Sequence, residues 1–296
     1  MKTGGRRFGI MKHKIMRFEE DGVAGAITVV LVIALVAILL SYFMSVVVPA
    51  TMSQYEFTLD QELDASILQF SSDMVSMEST GTIGSVDFQN FILQTNSVPI
   101  VSTPSTAALS FTSCARGQPF SYTVSASSSV TGLPESTFYG GGGMEIANGN
   151  RFYSAGVLYY QGGSVYETPY TANGTQSALA LSTLLEYSPG TNTYSFNVFN
   201  IYGTAEVVSS GSVNLEIEYS GTSTLSVTSL SAPLPVYVNF TSDSAARVFY
   251  QGVLQLFPGA VYDNGADTGV EFVIPSGVNV NFSVSSFAIS EYGLVK

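Results

Sequence analysis

Three successive patterns of apolar and polar residues follow the first 22 residues of the chain, and each predicts a different structure. The segment from Val23 to Val48 contains no charged residue, and most of its positions are aliphatic or aromatic. An α-helix of this length extends about 39 Å, which exceeds the roughly 30 Å hydrocarbon core of a bilayer. We therefore predict a transmembrane helix over residues 23–48, preceded by a basic leader over residues 1–22.

Residues 49–80 have the spacing of an amphipathic helix that continues the spanning helix. Apolar side chains recur every three or four positions, with acidic or amide side chains mostly between them. This stripe consists of Met52, Tyr55, Leu59, Leu63, Ile67, Phe70, Met74 and Met77. Pro49 lacks a backbone N–H, so we expect it to kink the joined helix. The stripe is expected to pack on the protein's own globular domain, on neighbouring copies of the chain, or on both.

After Gly81 the pattern changes from helical to alternating, which is typical of half-buried β-strands. In the clearest runs, apolar residues occupy every second position: residues 194–198, 213–219, 270–274 and 278–284. Many short strands separated by Gly- and Ser-containing turns predict an antiparallel β-sandwich-like domain. The expected fold class is therefore mainly β with one long N-terminal α-helix.

We expect residues 81–296 to form one extracytoplasmic domain, with a subdivision near residue 232 as the alternative. The two prolines of Ser231–Pro235 would interrupt a strand ladder at that point. Asp263-Asn264-Gly265 predicts a tight turn, because Asn-Gly readily adopts positive φ. Pro275-Ser276-Gly277 is a candidate hairpin connection between two alternating runs.

Basic residues are concentrated at the N-terminus, where six of the ten lie within the first 17 positions. By the positive-inside rule, the leader stays in the cytoplasm and everything after Pro49 faces outward. Beyond Gly22 the chain has four basic and 19 acidic residues. This balance argues against nucleic acid as a partner, because phosphate binding requires clustered Lys and Arg. The expected location is the cell membrane, in a single pass, with membrane lipid as a partner.

The residues that enzymes most often use are scarce. The only histidine, His13, lies in the leader, so the main domain has no Ser-His or Cys-His couple. Cys114 is the only cysteine, so no intrachain disulfide can form. Gly140–Gly143 lack the Lys and the following helix of a phosphate-binding loop, and a flexible turn is expected there. We therefore predict no catalytic residues, no cofactor and no enzymatic activity.

Two weaker kinds of site remain. Four residues around one turn offer oxygen ligands to calcium: Asp263, Asn264, Asp267 and Glu271. Their spacing does not match the known calcium loop, so an ordinary acidic hairpin is the favoured interpretation. Three Asn-X-Ser/Thr triplets are candidate glycosylation sites: Asn173, Asn239 and Asn281. Asn173 is the expected acceptor, because the other two lie in strand-like runs.

The N-terminal third of the chain resembles archaeal type IV pilins and pilin-like proteins, which carry class III signal peptides. The resemblance rests on the basic leader, on Gly22 before the apolar segment, on the helix through Met77 and on the β-rich domain after it. The run Gly141–Glu167 is also similar to strands of uncharacterised archaeal pilin-like surface proteins. In this family a prepilin peptidase cuts on the cytoplasmic side, and the apolar helix packs in a filament core.

Carried over to this chain, the resemblance places the cut between Gly22 and Val23, with Gly25 and Ala26 as the second choice. It implies prepilin peptidase and other pilin-like subunits as partners, and a surface filament as the assembled form. The chain departs from the family at Glu19–Asp21, where a basic residue usually precedes the cut. An anchored protein that is neither processed nor assembled is therefore the alternative.

Two functions follow from these patterns. The first is a structural one, in which a pilin-like subunit or minor pilin contributes to adhesion or surface structure. The second is a membrane-anchored binding module of the cell envelope, for which four tyrosines are a candidate recognition face: Tyr159, Tyr160, Tyr166 and Tyr170. Half-buried strand positions are the favoured interpretation for most of them. A third function, that of an enzyme outside the membrane, is the least favoured of the three, because the only histidine lies in the leader.

Overall fold

The computed structural model describes residues 7–98, 103–126, 136–169, 177–203, 205–208, 211–264 and 268–291, with side chains described from Gly25 onward except at residues 205–208 and 264. The helices are α1 (Arg7–Tyr42), α2 (Val48–Thr80) and α3 (Asp243–Leu256). The strands are β1 (Val86–Ile92), β2 (Ala107–Thr112), β3 (Tyr122–Ala126), β4 (Ser136–Gly140), β5 (Gly143–Asn148), β6 (Gly156–Gln161), β7 (Ser164–Pro169), β8 (Ser177–Ala180), β9 (Leu185–Ser188), β10 (Thr193–Gly203), β11 (Ala205–Val208), β12 (Ser212–Val227), β13 (Leu234–Phe240), β14 (Val261–Asn264), β15 (Thr268–Ile274) and β16 (Asn279–Glu291). The protein is therefore mainly β with one long N-terminal helical segment, as predicted.

The helical segment widens before Pro49. A π-helical turn, Phe43–Val47, separates α1 from α2, and the Val48 N–H bonds the Phe43 carbonyl five residues earlier. Pro49 has no N–H to donate, and its ring crowds the carbonyl four residues before it. The wider turn is one of the known ways in which a helix accommodates such a disruption. α2 ends as predicted at Thr80, where Gly81 adopts a φ of 62° that favours glycine.

Two compact units divide the chain. One consists of Met1–Met52 with Val98–Thr103, and the other consists of Ser53–Ser97 with Pro104–Lys296. The first unit contains the apolar helix. The second unit contains α2 from Ser53 onward, α3 and every described strand.

Three sheets form the second unit. Sheet 1 has the strand order β1-β12-β16-β10-β9, and sheet 2 has the order β11-β2-β5-β6-β7-β8. Sheet 3 has the order β14-β15-β13-β3-β4. The segment Ser231–Pro235 leads from β12 of sheet 1 into β13 of sheet 3.

Two sequence predictions about strand connections are wrong. Among the described strands β10 and β16 pair in parallel, from Thr193 opposite Asn279 onward, so sheet 1 is mixed rather than antiparallel. Pro275–Gly277 does not form a hairpin, because β15 belongs to sheet 3 and β16 to sheet 1. The predicted turn at Asp263–Gly265 is placed too early: β14 and β15 do pair antiparallel, but Asp263 and Asn264 belong to β14 and pair with Gly269 and Thr268. Gly265 lies outside the described residues. Alternation reveals which face of a strand is buried but not which strand lies beside it.

Sheet 1 contributes to two apolar cores through opposite faces. In the first half of β10, Phe196 and Val198 pack with sheet 3 and α3. In its second half, Phe199 and Ile201 pack with sheet 2 and α2. The change from even to odd positions means that the strand turns its other face to the core. All of the alternating runs predicted from the sequence are strands. Their apolar residues are divided between the two cores.

α3 is an element that the sequence interpretation missed. Ser242 caps it by accepting a hydrogen bond from the Ala245 N–H at 3.4 Å, and Asp243 lies in its first turn. Its apolar face buries Ala246, Phe249 and further side chains against sheet 3. A Ser-Asp start followed by apolar residues at steps of three and four is a helix signal, so this element was detectable.

The four-glycine run is a buried crossing rather than a flexible turn. Gly140–Gly143 leads from β4 of sheet 3 to β5 of sheet 2, and all four glycines are buried. Gly142 has a φ of 87°, and a Cβ there would lie 2.5 Å from the Ile201 carbonyl oxygen. A Cβ on Gly143 would meet the Tyr160 carbonyl oxygen at 2.6 Å. Glycine is required here because the segment passes directly against the backbone of β10 and of β6.

Candidate functional site

The first candidate site is the apolar surface of the N-terminal helix. It is the one helix among the described residues that is long and apolar enough to span a membrane. Its large side chains are each at least 54% exposed: Ile27, Val29, Val30, Leu31, Val32, Ile33, Leu35, Val36, Ile38, Leu39 and Leu40. An uninterrupted apolar surface of this kind is unfavourable in water and favourable in lipid.

The predicted processing position lies within a helix. Gly22 and Val23 both fall inside α1, as does the second choice, Gly25 and Ala26. The side chains of Gly22 and Val23 lie outside the part of the chain whose side chains are described. Processing at either position therefore stays a prediction.

A second site surrounds the Glu56 carboxylate, which is fully buried on α2 in the second unit. One oxygen, Oε1, accepts hydrogen bonds from the Ser105 hydroxyl and from the Arg151 N–H at 2.8 Å. The other, Oε2, accepts from the Phe152 and Tyr153 N–H groups, each at 2.7 Å. We call these five residues the Glu56 site. Successive backbone N–H groups that converge on one carboxylate form an anion-binding concavity, here filled by the protein's own side chain.

The Glu56 site stabilises the charged form of its carboxylate. Burial alone would raise the pKa of Glu56, because it removes water from the charge. The hydrogen bonds from Ser105 and from the three backbone N–H groups oppose burial and leave the pKa below its ordinary value. Each bond to a charged group contributes about 1.5–3 kcal/mol, so the site fastens this turn of α2 to the loop before β6.

In a neighbouring group of carboxylates, the pKa values are raised rather than lowered. Asp60 is 8% exposed and accepts a hydrogen bond from the Asn148 amide at 2.7 Å. Burial, together with the negative charges of Asp64 and Glu167, raises the pKa of Asp60 to about 7. Burial and Glu167 likewise raise the pKa of Asp64 to about 6. These two groups therefore exchange protons near neutral pH, where ordinary aspartates are fully ionised.

Polar contacts also hold the other end of α2. Glu78 accepts hydrogen bonds from the hydroxyls of Ser283 and Ser285 on β16, at 3.0 and 2.7 Å. Asp73 accepts from the Gln89 amide on β1. Between the two ends, every stripe residue from Leu59 to Met77 is buried against sheets 1 and 2. The prediction that the stripe packs on the protein's own globular domain is confirmed for these residues.

The calcium candidates are only partly described. Asp263 and Glu271 lie on the exposed face of the β14–β15 hairpin. The Asn264 side chain and all of Asp267 lie outside the described residues. Within the described part of the chain, no group of three or more His, Cys, Asp or Glu side chains is arranged to hold a metal ion.

The glycosylation candidates have different surroundings. Asn173, the expected acceptor, lies outside the described residues. Asn281 is half-buried in β16, between β10 and β12. Asn239 is half-buried in β13, on the outer face of sheet 3, where it lines an open groove. All three remain candidates.

The three described tyrosines of the candidate recognition face lie in or against the cores, in agreement with the favoured strand interpretation. Tyr160 and Tyr166 are buried in different cores, and Tyr159 is half-buried against the core that contains Tyr166. Tyr170 lies outside the described residues. Aromatic side chains that alternate along strands often pack into a core. Several tyrosines close together in the sequence therefore do not indicate that their side chains are exposed.

The Glu56 site was missed, although a signal for it exists. The spacing from Met52 to Leu59 places Glu56 in line with the buried stripe, at steps of four and three. The sequence interpretation assigned Tyr55 to that turn, but Tyr55 is only half-buried. An acidic residue at an apolar position of a helical repeat indicates a buried, partnered carboxylate.

Comparison with protein-family models, with curated proteins and with solved structures finds no match to this chain.

Glu56→Gln is expected to lower the free energy of unfolding by about 2–4 kcal/mol, because an NH2 group replaces an oxygen that accepts two hydrogen bonds. Near-UV circular dichroism of the full-length protein in detergent, titrated with denaturant, measures this change. Glu62→Gln, on the exposed face of the same helix, is the matched control with an expected change below about 0.5 kcal/mol. Equal effects of the two substitutions would contradict the Glu56 site.

Asp60→Asn is expected to stabilise the protein at pH 8 by on the order of 2 kcal/mol. The folded protein binds the Asp60 proton up to a pKa of about 7, whereas the unfolded chain releases it near the ordinary value of 3.8. Stability of the wild type therefore falls as pH rises between about 4 and 7. Asp60→Asn reduces this decrease in stability, and the free energies of unfolding of the two proteins become equal near pH 4. Denaturant titrations from pH 4 to 8 test this, and a pH dependence that Asp60→Asn leaves unchanged would contradict it.

Proposed function

We propose that this protein is a pilin-like structural protein of the cell surface. The apolar helix anchors it in the membrane or assembles it with other subunits, and a sandwich-like β domain outside the membrane serves adhesion or surface structure. The observation that carries the proposal is the exposed apolar surface from Ile27 to Leu40. Such a surface requires lipid or apolar helices of neighbouring subunits around it.

The distribution of charged residues along the chain supports one orientation of the protein in the membrane. Six basic residues precede the apolar segment, whereas acidic residues outnumber basic ones by 19 to four after Gly22. Basic flanks stay on the cytoplasmic side of a membrane. The N-terminus is therefore proposed to be cytoplasmic, and the β domain extracytoplasmic.

The packing of α2 supports a structural role. Apolar contacts along one face and carboxylates at both ends hold the helix from Glu56 to Glu78 among the sheets. A helix held in this way is part of the domain rather than a flexible linker. This arrangement suits a subunit in which α2 from Glu56 to Glu78 is an integral part of the displayed domain.

The second candidate is an anchored binding module that is neither cut nor assembled. Glu19–Asp21 favour it, because they place acidic residues directly before the proposed processing position. An open groove on sheet 3 also favours it, because a structural subunit alone does not require one. The two candidates differ in the N-terminus of the mature protein.

In cells that express the protein together with a prepilin peptidase, we expect the mature chain to begin at Val23 and to occur in both membrane and sheared-surface fractions. Mass spectrometry of the N-terminal peptide measures this. Gly22→Leu should block the cut, because a bulky side chain replaces the residue at the proposed site. Gly25→Leu is the matched control and should leave the cut between Gly22 and Val23 unchanged.

An intact Met1 found only in membranes would contradict the pilin-like proposal and support the anchored module. Release of the intact chain from membranes by an alkaline carbonate wash would contradict both candidates, since a spanning helix resists such a wash.

A further inference from the structure

An open groove of about 570 Å³ lies on the outer face of sheet 3, within the second unit. Its size falls in the range of about 300–1,000 Å³ that is typical of small-molecule sites. Three side chains lie next to one another across adjacent strands: Tyr139 on β4, Thr123 on β3 and Asn239 on β13. The segment Cys114–Gly117 forms a wall beside this row. We call this site the Arg116 groove, after the charged residue on that wall.

The charge of the Arg116 groove is opposite to that of the domain. Within the described part of the chain, its 14 lining residues include no Asp or Glu and a single Arg, although the chain beyond Gly22 has 19 acidic residues. Electrostatic interactions between exposed groups fade over about 8 Å at physiological ionic strength. Arg116 is therefore the charged group at the Tyr139 end of the groove, whereas Glu271 and Asp263 lie on the same face of sheet 3 beyond Asn239.

Arg116 is held in a position suited to an anion. Its guanidinium carbon lies 5.1 Å from the centre of the Tyr139 ring, in a cation–π contact. Among the described residues, no carboxylate lies within ion-pair distance of it, in contrast to Arg247, which pairs with Asp243 at 2.7 Å. A planar guanidinium supported by an aromatic ring leaves its N–H groups directed to the side, where they can bind a carboxylate in a bidentate manner.

Half of the remaining lining residues carry hydroxyl or amide groups, and the other half are Cys, Ala, Gly and buried aromatic residues. Besides Thr123 and Asn239, the hydroxyl and amide groups belong to Ser121, Thr137, Thr241 and Thr268. Hydroxyls both donate and accept hydrogen bonds, and amides do the same from separate atoms. This chemistry matches a ligand that carries many hydroxyl groups of its own.

The groove wall is fixed before any ligand arrives. The Cys114 N–H bonds the Ile201 carbonyl at 2.6 Å, and the Thr241 N–H and hydroxyl both bond the Ser121 carbonyl at 3.0 Å. Phe120 has a φ of 67°, a conformation that non-glycine residues adopt only when their surroundings impose it. A preformed site loses little conformational entropy on binding.

We propose that the Arg116 groove binds an anionic saccharide, with the guanidinium of Arg116 on the sugar carboxylate and the hydroxyl and amide groups on the sugar hydroxyls. Tyr139 supports the guanidinium from one side and positions it. An acidic peptide would also offer carboxylates, but it has few groups to match the hydroxyl lining. The proposal goes beyond anchoring and assembly, and it does not depend on the orientation of the chain in a membrane.

The test uses full-length protein in detergent micelles, from a host without N-glycosylation, so that Asn239 is unmodified. The probes are methyl β-D-glucuronide and methyl β-D-glucoside, which differ only at C6, where the glucuronide has a carboxylate and the glucoside a hydroxymethyl group. Titration calorimetry, supported by saturation-transfer NMR, is expected to give at least tenfold tighter binding of the glucuronide. Arg116→Gln should weaken glucuronide binding at least tenfold and remove the preference, whereas Arg116→Lys should retain part of it.

Arg151→Gln removes the same charge elsewhere in the second unit, keeps the backbone N–H that bonds Glu56, and should leave binding unchanged. Near-UV circular dichroism shows whether each variant is folded. Tyr139→Ala should weaken glucuronide binding several-fold, because the guanidinium loses its support. Equal binding of the two probes, no binding of either, or equal losses in Arg116→Gln and Arg151→Gln would each overturn the proposal. An acidic tripeptide that binds more tightly than the glucuronide would overturn the saccharide assignment.

Discussion

The position of α2 in the β domain depends on one buried carboxylate, that of Glu56. A charge that is removed from water is costly unless hydrogen bonds replace the water. Here one hydroxyl and three backbone N–H groups, from Ser105 and Arg151–Tyr153, take its place. The donors come from segments far away in the sequence, so the bonds form only when α2 occupies its native position. The Glu56 site therefore specifies where α2 lies, and the apolar stripe behind it supplies the larger share of burial.

The same helix combines stabilising and destabilising carboxylates. Glu56 and Glu78 are matched by donors, whereas the buried Asp60 and the half-buried Asp64 lie next to each other and to Glu167. Repulsion and burial make the ionised forms of this pair unfavourable, so the protein is more stable when they hold protons. The packing of α2 is consequently sensitive to pH near neutrality, while its attachment through Glu56 persists.

Much of the fold could be predicted from residue spacing, and the failures have physical reasons. The apolar segment, the stripe from Leu59 to Met77 and the alternating strands follow from helical and strand periods. Parallel pairing of β10 with β16 could not be predicted, because apolar and polar residues alternate along a strand in the same way whether its neighbour runs parallel or antiparallel. The Arg116 groove assembles residues from β3, β4, β13 and the segment after β2, which no local pattern connects. Glu56 and α3 were detectable from spacing and capping.

Native-state hydrogen exchange of the full-length protein in detergent tests most directly whether α2 is part of the β domain. Exchange can be followed by mass spectrometry of peptides that cover Leu59–Met77, β10 and β16. If α2 is held as described, its amides exchange as slowly as those of the two central strands, because all of them open only on global unfolding. If the α2 amides exchange orders of magnitude faster than those of β10 and β16, the helix opens independently and the account is contradicted.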